Sequence, residues 1–320
     1  MDWPVAGVLT VLIIFTVING INDGAALVAA GLKMPVIRPQ FAVLLLVAAV
    51  AAIPLILGTR VAVTLATRLV SFEGDGGRVA LLAAIASATA IALLLARRGL
   101  PTSLTLALIG AIAGAGIGSG LPVAWGVVAQ VLLMAAVAPL VGGILAFGIM
   151  RLLALAPVRT STSSALSRLH IAAYGLQCAG YAANDGQKML AVFAVGFGTT
   201  TQIDPAVLVL VTIGLFFGLG TAIGLPRMSG TIGGGIIAAR PLHTIAAEFA
   251  SAGAVMGMAA LGTPVSMTQA IAGGLVGTGV SDTSKRVRWQ AATRIVLAWV
   301  FTLPAAAGAG AVLSLAGRGL

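Results

Sequence analysis

Long apolar stretches alternate along the chain with short polar interruptions, and the stretches suit a bilayer. Val5–Ile18, Phe41–Leu57, Val79–Ala96, Pro122–Met150, Ile171–Val195, Pro205–Leu225, Ile245–Leu261 and Ala291–Leu315 are the clearest windows. A spanning helix needs about 20 mostly apolar residues. Shorter pieces around 61–72 and 228–239, with two Ser/Thr hairpin regions, bring the expectation to roughly ten to twelve membrane segments. The pattern predicts an all-α integral membrane protein. Two polar islands stand in this apolar background, Asn22-Asp23 and Asn184-Asp185, 162 positions apart in 320 residues. Pro101-Thr102-Ser103-Leu104-Thr105 recurs as Pro264-Val265-Ser266-Met267-Thr268, offset by 163. Two unlike motifs repeating at nearly one offset, close to half the chain, indicate an internal duplication. The expected division is a first transmembrane repeat over 1–150, a short basic linker at 151–168 and a second repeat over 169–320.

Loop charges predict how the halves are oriented. Lys33 and Arg38 follow the first Asn-Asp segment, whereas Thr199–Asp204 carries no Lys or Arg. Arg97-Arg98 precede the first Pro-x-Ser-x-Thr element, and the uncharged Ala260–Gly262 precedes the second. After the hairpins the bias reverses: Ser119–Pro122 is bare, whereas Lys285, Arg286 and Arg288 are basic. Equivalent loops that differ in charge lie on opposite faces, as an inverted repeat requires. The same rule puts the N-terminus outside and the linker, with Arg151, Arg159 and Arg168, in the cytoplasm. Met1-Asp2-Trp3-Pro4 has no basic stretch before the first apolar segment, which is therefore expected to be retained.

Composition agrees with this class and removes several others. Hydrophobic residues make up 59% and charged residues 8%, and the mean hydropathy is +1.12. The net charge of +10 sits in loops rather than on one continuous face, which argues against nucleic acid as a partner. A single cysteine, Cys178, allows no intrachain disulfide and no Cys-rich metal site. His170 and His243 fall near predicted segment ends, where interfacial placement outweighs a ligand role. No P-loop of the G-x-x-x-x-G-K-[ST] form occurs and no nucleophile–base constellation accompanies the acids, so neither an ATPase nor another enzyme is expected. Energy is then expected from an ion gradient or from the substrate's own gradient.

The site chemistry follows from the acids. A carboxylate in lipid-compatible sequence is expensive and marks an ion or substrate pathway. Glycines flank the Asn-Asp pair in Asn19-Gly20-Ile21-Asn22-Asp23-Gly24, which favours a local break in the helix. Exposed carbonyls together with Asp23 suit a cation there, and exposed amides suit an anion. Ala183-Asn184-Asp185-Gly186-Gln187-Lys188 repeats the theme with a lysine added. Lys188 is expected to pair with Asp185 or Glu248, or to meet a bound anion. Glu248 has no acidic counterpart near Ile85–Ser87, which suits a protonatable or cation-coupling role. Each Pro-x-Ser-x-Thr element starts a glycine-rich helix, with Gly110, Gly114 and Gly118 echoed by Gly273 and Gly277. Such small-residue faces let helices approach closely. Two helix starts meeting near midplane would cradle a tetrahedral oxyanion with hydroxyls and free amides.

Gly20-Ile21-Asn22-Asp23 and Ala183–Lys188 resemble the paired Gly-Ala-Asn-Asp signatures of the inorganic phosphate transporter (PiT) family, whose second copy carries Gln-Lys. Pro101–Thr105 and Pro264–Thr268 resemble its Pro-Val-Ser-Thr-Thr-His elements, and Ala246-Ala247-Glu248 resembles its Ala-Glu stretch. The resemblance covers nearly the whole chain apart from the linker. It implies inverted repeats with broken helices and helical hairpins, and secondary active transport of phosphate with Na⁺ or H⁺ and no other cofactor. Carried over, Asn22, Asp23, Asn184, Asp185 and Glu248 would serve the cation, with Asp23 and Asp185 as Na⁺ ligands. Ser103, Thr105, Ser266, Thr268 and Gln187 would serve the anion, beside Lys188. The chain departs from the family pattern at Gly24, Ala26, Leu104, Leu106, Gly186, Met267 and Gln269. The family also includes bacterial sulfate permeases, so sulfate is the alternative substrate, and an uncoupled anion channel is a further alternative. The implied place is the cell (inner) membrane, where assembly with further copies of the chain stays open.

Overall fold

The computed structural model describes residues 5–72, 74–97, 102–155, 163–197, 203, 206–232 and 235–319. Met1–Pro4, Arg98, Pro101, Arg159 and most of Thr199–Asp204, which the sequence reading used, lie outside the described residues, as does 156–162 of the expected linker. Among the described residues there are thirteen α-helices, and extended pairing is limited to one bridge between Val70 and Val123.

The first half runs α1 (Val5–Asn19), one π-helical turn (Gly20–Gly24), α2 (Ala25–Gly31), α3 (Pro39–Leu57), α4 (Arg60–Val63), a second π-helical turn (Thr64–Arg68), α5 (Gly74–Arg97), α6 (Leu104–Ser119) and α7 (Trp125–Leu155). The second half repeats the series as α8 (Ser163–Tyr181), a π-helical turn (Ala182–Gly186), α9 (Gln187–Gly196), α10 (Val207–Ile232), α11 (Pro241–Ala260), α12 (Met267–Asp282) and α13 (Trp289–Ala316). The series departs from symmetry in one place. Gly58 adopts φ +79 and separates α3 from α4, a conformation open to glycine. Aligning Arg60 with Arg227 puts Leu225 at that point, and α10 continues to Ile232. The separate piece expected from 228 therefore begins inside a long helix.

Among the described residues six helices are long and apolar enough to cross a membrane. The 16-residue helices α6 and α12 reach only about 24 Å at 1.5 Å per residue, short of the roughly 30 Å hydrocarbon core. They are the inner limbs of the hairpins. α6 starts on Ser103, whose hydroxyl accepts from the Leu106 amide at 3.3 Å, and ends on Gly120 in the left-handed region.

The two halves are interlocked. Gly110, Gly114 and Gly118 of α6 lie on the backbone of Leu303, Ala307 and Ala311 of α13. On the other side Gly273 and Gly277 of α12 lie on Pro139 and Gly143 of α7. A methyl at Gly114 or Gly277 would overlap a carbonyl oxygen of the partner helix. Small residues permit this approach where lipid offers no hydrophobic drive for helices to associate. Each short hairpin helix thus packs on the last long helix of the opposite half. Leu140, Ile144 and Leu152 of α7 and Phe301 and Val312 of α13 point outward, an apolar exterior suited to lipid. All of α2 and α9 are buried, so the helix beyond each Asn-Asp pair runs through the centre of the molecule.

Candidate functional site

Both Asn-Asp pairs sit on π-helical turns, so the expected local break takes the form of a one-turn widening of a continuous helix. Such bulges are frequent at functional sites because they re-aim side chains within a helix. Gly20 and Gly24 give the first turn room against α10: Gly20 touches the Phe217 carbonyl and Gly24 the Phe217 ring and Thr221 hydroxyl. The widened turn is thereby packed tightly while its polar side chains face the other elements.

The asparagines hold the hairpin tips. Asn184 Nδ2 donates to Thr263 O at 3.0 Å and its Oδ1 accepts from Val265 N at 3.1 Å, which pins the extended segment before α12. Asn22 makes the weaker counterpart, donating to Thr102 O and accepting from the Thr102 hydroxyl, both at 3.4 Å. Its Nδ2 also donates to Asp23 Oδ1 at 2.7 Å. Tyr181 OH donates to Asn19 Oδ1 at 3.3 Å across 162 positions. These two residues are equivalents in the repeat, so the contact lies on the pseudo-twofold axis.

Lys188 reaches across the halves. Its ammonium donates to Asp185 Oδ1, to the Thr105 hydroxyl and, at 2.7 Å, to Val265 O, with the side chain 2% exposed. Thr105 in turn donates to Val265 O at 3.2 Å. One charged group therefore joins the Ala182–Gly186 π turn, the start of α6 and the extended segment before α12. Asp23 and Asp185 are close enough for their charges, and that of Lys188, to act on one another. Each aspartate keeps a second carboxylate oxygen that is buried and has no hydrogen-bond partner in the structure.

Gln187 is engaged elsewhere. Its Oε1 accepts from Val61 N at 2.8 Å and Ala62 N at 3.2 Å, amides in the first turn of α4, and its Nε2 donates to Ala183 O. Ser266 and Thr268 hydroxyls bond each other at 2.8 Å. Thr268, Asn22 and Thr102 supply the polar wall of a cavity of about 70 Å³ whose remaining wall includes Met228, Ile236, Ala272 and Trp299. The structure so brings together Asn22, Asp23, Asn184, Asp185, Lys188, Thr105 and the two helix starts.

Glu248 lies apart from Lys188. Its Oε2 meets His170 Nδ1 at 3.0 Å, and His170 Nε2 lies 3.0 Å from Gly31 O. A carbonyl only accepts, so Nε2 carries a proton and the second proton is shared between Nδ1 and the carboxyl group. The interfacial expectation for His170 is thus corrected: the ring is fully buried between α2, α8 and α11. α8 extends back to Ser163, which carries His170 two turns into the helix, and Glu248 supplies the partner that burial demands. His243 is also buried, accepting from Arg240 N at 3.1 Å and meeting Asp282 at 3.1 Å. It closes the start of α11. His170, Asn19, Tyr181 and Thr102 were absent from the sequence-derived set. The 162-residue spacing of Asn19 and Tyr181 was the available signal for two of them.

A family model described as the phosphate transporter family matches the chain twice, over residues 19–174 and 154–310. A probable low-affinity inorganic phosphate transporter of Bacillus subtilis (strain 168) is 30% identical over 95% of this chain and 96% of its own length. One of Rhizobium meliloti (strain 1021) is 30% identical over 94% and 92%. A third, of Mycobacterium tuberculosis (strain ATCC 25618 / H37Rv), is 33% identical over 95% and 75%. A solved structure titled the sodium-dependent phosphate transporter has the same fold, with a TM-score of 0.84 at 18% identity, over 99% of this chain and 98% of that one.

Proposed function

We propose that this chain, which belongs to the phosphate transporter family, carries inorganic phosphate across the membrane by alternating access, coupled to Na⁺. The carrying observation is the joint made by Lys188, Asp185, Thr105 and Val265, in which groups from both halves converge at two helix starts. A tetrahedral anion entering between α6 and α12 would find the amides of two helix N-termini, the hydroxyls of Ser103, Thr105, Ser266 and Thr268, and the Lys188 ammonium. Taking the anion, Lys188 would release Asp185, and the freed carboxylate would call for a cation. Substrate and cation binding would thereby be linked through one swap of partners.

The donor set supports a hard cation. Among the described residues no cluster of three or more His, Cys, Asp or Glu occurs. What is present is oxygen: the unpartnered carboxylate oxygens of Asp23 and Asp185, with carbonyls and amides beside them. Hard cations take such ligands. Asn22 and Asn184 would hold the hairpin tips on which the cation and anion positions depend, and Glu248 with His170 would couple the α2 end to α11. Gln187 would act by fixing α4, at one remove from the anion. Loop charge favours an N-terminus outside and a cytoplasmic linker. Purified protein in liposomes, given labelled phosphate or sulfate under separately imposed Na⁺ and pH gradients, tests the reading. Phosphate uptake driven by Na⁺ is expected. Sulfate uptake in its place would overturn the substrate, H⁺-driven uptake the coupling ion, and gradient-independent currents the carrier mechanism.

A further inference from the structure

A groove of about 890 Å³ lies between α7, α12 and α13, with Leu106 of α6 on its floor. Its wall is apolar apart from Gln269 and the indoles of Trp289 and Trp299. Leu140, Ile144 and Val300 on its rim are exposed, so the groove opens toward lipid. α7 and α13 repeat at an offset of 164, since Gly273 meets Pro139 where Gly110 meets Leu303. At that offset Leu132 matches Val296 and Ala136 matches Val300, and all four line the groove. The groove therefore straddles the pseudo-twofold axis. From Trp289 to Leu303 it runs about 21 Å at 1.5 Å per residue, more than half of the roughly 30 Å hydrocarbon core.

The symmetry of the walls does not extend to charge at the ends. Gly273 lies on Pro139 and Gly277 on Gly143, so α12 and α7 run the same way and bring Val280 and Phe147 to one end. The Ser284–Arg286 turn then starts α13 at that end, with Trp289 on the wall. Arg151 holds its guanidinium over the Phe147 ring, 5.1 Å from the centroid. Lys285 is exposed on the turn, and Arg288 directly precedes Trp289. In the other half Arg151 and Arg288 are matched by Leu315 and Ala124, and the Ser119–Pro122 loop is uncharged. Basic residues at the ends of membrane helices attract anionic headgroups, and an indole suits the interface between headgroups and chains. This is the end that loop charge places in the cytoplasm.

We propose that the groove holds an acyl chain of an anionic phospholipid from the cytoplasmic leaflet, with Arg151 and Lys285 on its headgroup phosphate. The apolar length takes the chain, and charge at one end selects the leaflet. A second copy related by a twofold axis along the membrane normal would bring the same basic end of both chains together, which like charges oppose. Ala272, Ile295 and Trp299 wall the groove on one side and, on the other, the cavity that reaches Asn22, Thr102 and Thr268. A bound chain thereby backs the wall of the candidate transport site and closes it to the bilayer. That consequence rests on the transport reading above; the lipid site itself does not.

The test uses the groove's own tryptophans. Trp3→Phe with Trp125→Phe leaves Trp289 and Trp299 as the only indoles. The protein is reconstituted in phosphatidylcholine, and phosphatidylglycerol or phosphatidylcholine brominated on its acyl chains is titrated in while fluorescence quenching is read. Half-maximal quenching should need about fivefold less of the brominated phosphatidylglycerol than of the brominated phosphatidylcholine. Arg151→Gln combined with Lys285→Gln should bring the two lipids to within about twofold of each other. Arg294→Gln, near the same end of α13 but off the groove wall, should leave the preference in place. Ala136→Phe fills the groove from α7 and should weaken quenching by both lipids, with gel filtration unchanged. Equal titration by the two lipids, or a preference that survives both the charge removal and Ala136→Phe, overturns the site. Quenching that appears only when the protein is diluted in the bilayer would assign the groove to a second copy and overturn it too. A lipid preference that responds as stated in a protein without phosphate uptake would sink the substrate reading and leave the lipid site standing.

Discussion

Lys188→Met keeps most of the side chain's bulk and removes its charge, and the structure gives the consequence a size. Three acceptors lose their donor: Asp185 Oδ1, the Thr105 hydroxyl and Val265 O. Asp185 Oδ2 has no hydrogen-bond partner to begin with, so the variant leaves a buried carboxylate without its counter-charge. Breaking a buried ion pair from one side costs about 3–5 kcal/mol, whereas removing both charges is far cheaper. Asp185→Asn combined with Lys188→Met should therefore recover much of the lost stability, a coupling of roughly 1–3 kcal/mol. Unfolding of the four proteins of this cycle in one mixed-micelle system, followed by tryptophan fluorescence, measures it. Uptake should be absent from the single and the double variant alike, because stability returns without the charge that links anion to cation. Adding Glu248→Gln to Lys188→Met should restore neither property, since Glu248 faces His170. A Lys188→Met protein within about 0.5 kcal/mol of the parent, or strictly additive effects, would refute the reasoning.

Asp23→Asn and Asp185→Asn should each abolish gradient-driven uptake while gel filtration still shows folded protein; near-normal uptake by both would remove them from the coupling site. Ser103→Ala and Ser266→Ala should each raise the apparent KM for phosphate about tenfold, from a lost donor worth about 1–3 kcal/mol, and the two effects should not simply add if one anion touches both. Ser103→Ala should also lower thermal stability by about 1 kcal/mol as a lost N-cap, unlike Ser266→Ala, whose hydroxyl caps no amide. Gln187→Leu strips the acceptor from Val61 N and Ala62 N and should destabilise by about 1–3 kcal/mol, measurable by the same unfolding assay. Gly277→Leu, directed at the Gly143 carbonyl, should prevent recovery of monodisperse protein, whereas substitution at the open Gly257 should not.

The membrane class and the duplication were legible because both depend on patterns that need no partner: apolar runs, and Asn-Asp and Pro-x-Ser-x-Thr echoed at one offset. Lys188 was legible as an expensive charge, and of its two candidate partners the structure selects Asp185, one helical turn away. What escaped were groups whose meaning depends on a neighbour distant in sequence. His170 looked interfacial because a histidine near a segment end is ordinary; Glu248, 78 positions on, changes its setting. The bonds from Val61 N and Ala62 N to Gln187 were equally hidden, because the four residues of α4 carry no periodic signal. The match of Arg60 with Arg227 was hidden by its offset, 167 rather than 162, and by glycine at Gly58 against Leu225.

The crossed pairing of hairpin helices also bears on how the chain is made. The glycine face of α6 has its mate on α13, which leaves the ribosome some 170 residues later. At about 5–20 residues per second, α6 waits roughly 10–35 seconds in the bilayer before that surface exists. During the interval its glycine stripe and the orphaned carbonyls near it have only lipid, the translocon or a chaperone beside them. Maturation is thus held open until the last helix arrives, and a chain truncated before α13 would present an unfinished groove for quality-control proteases to recognise.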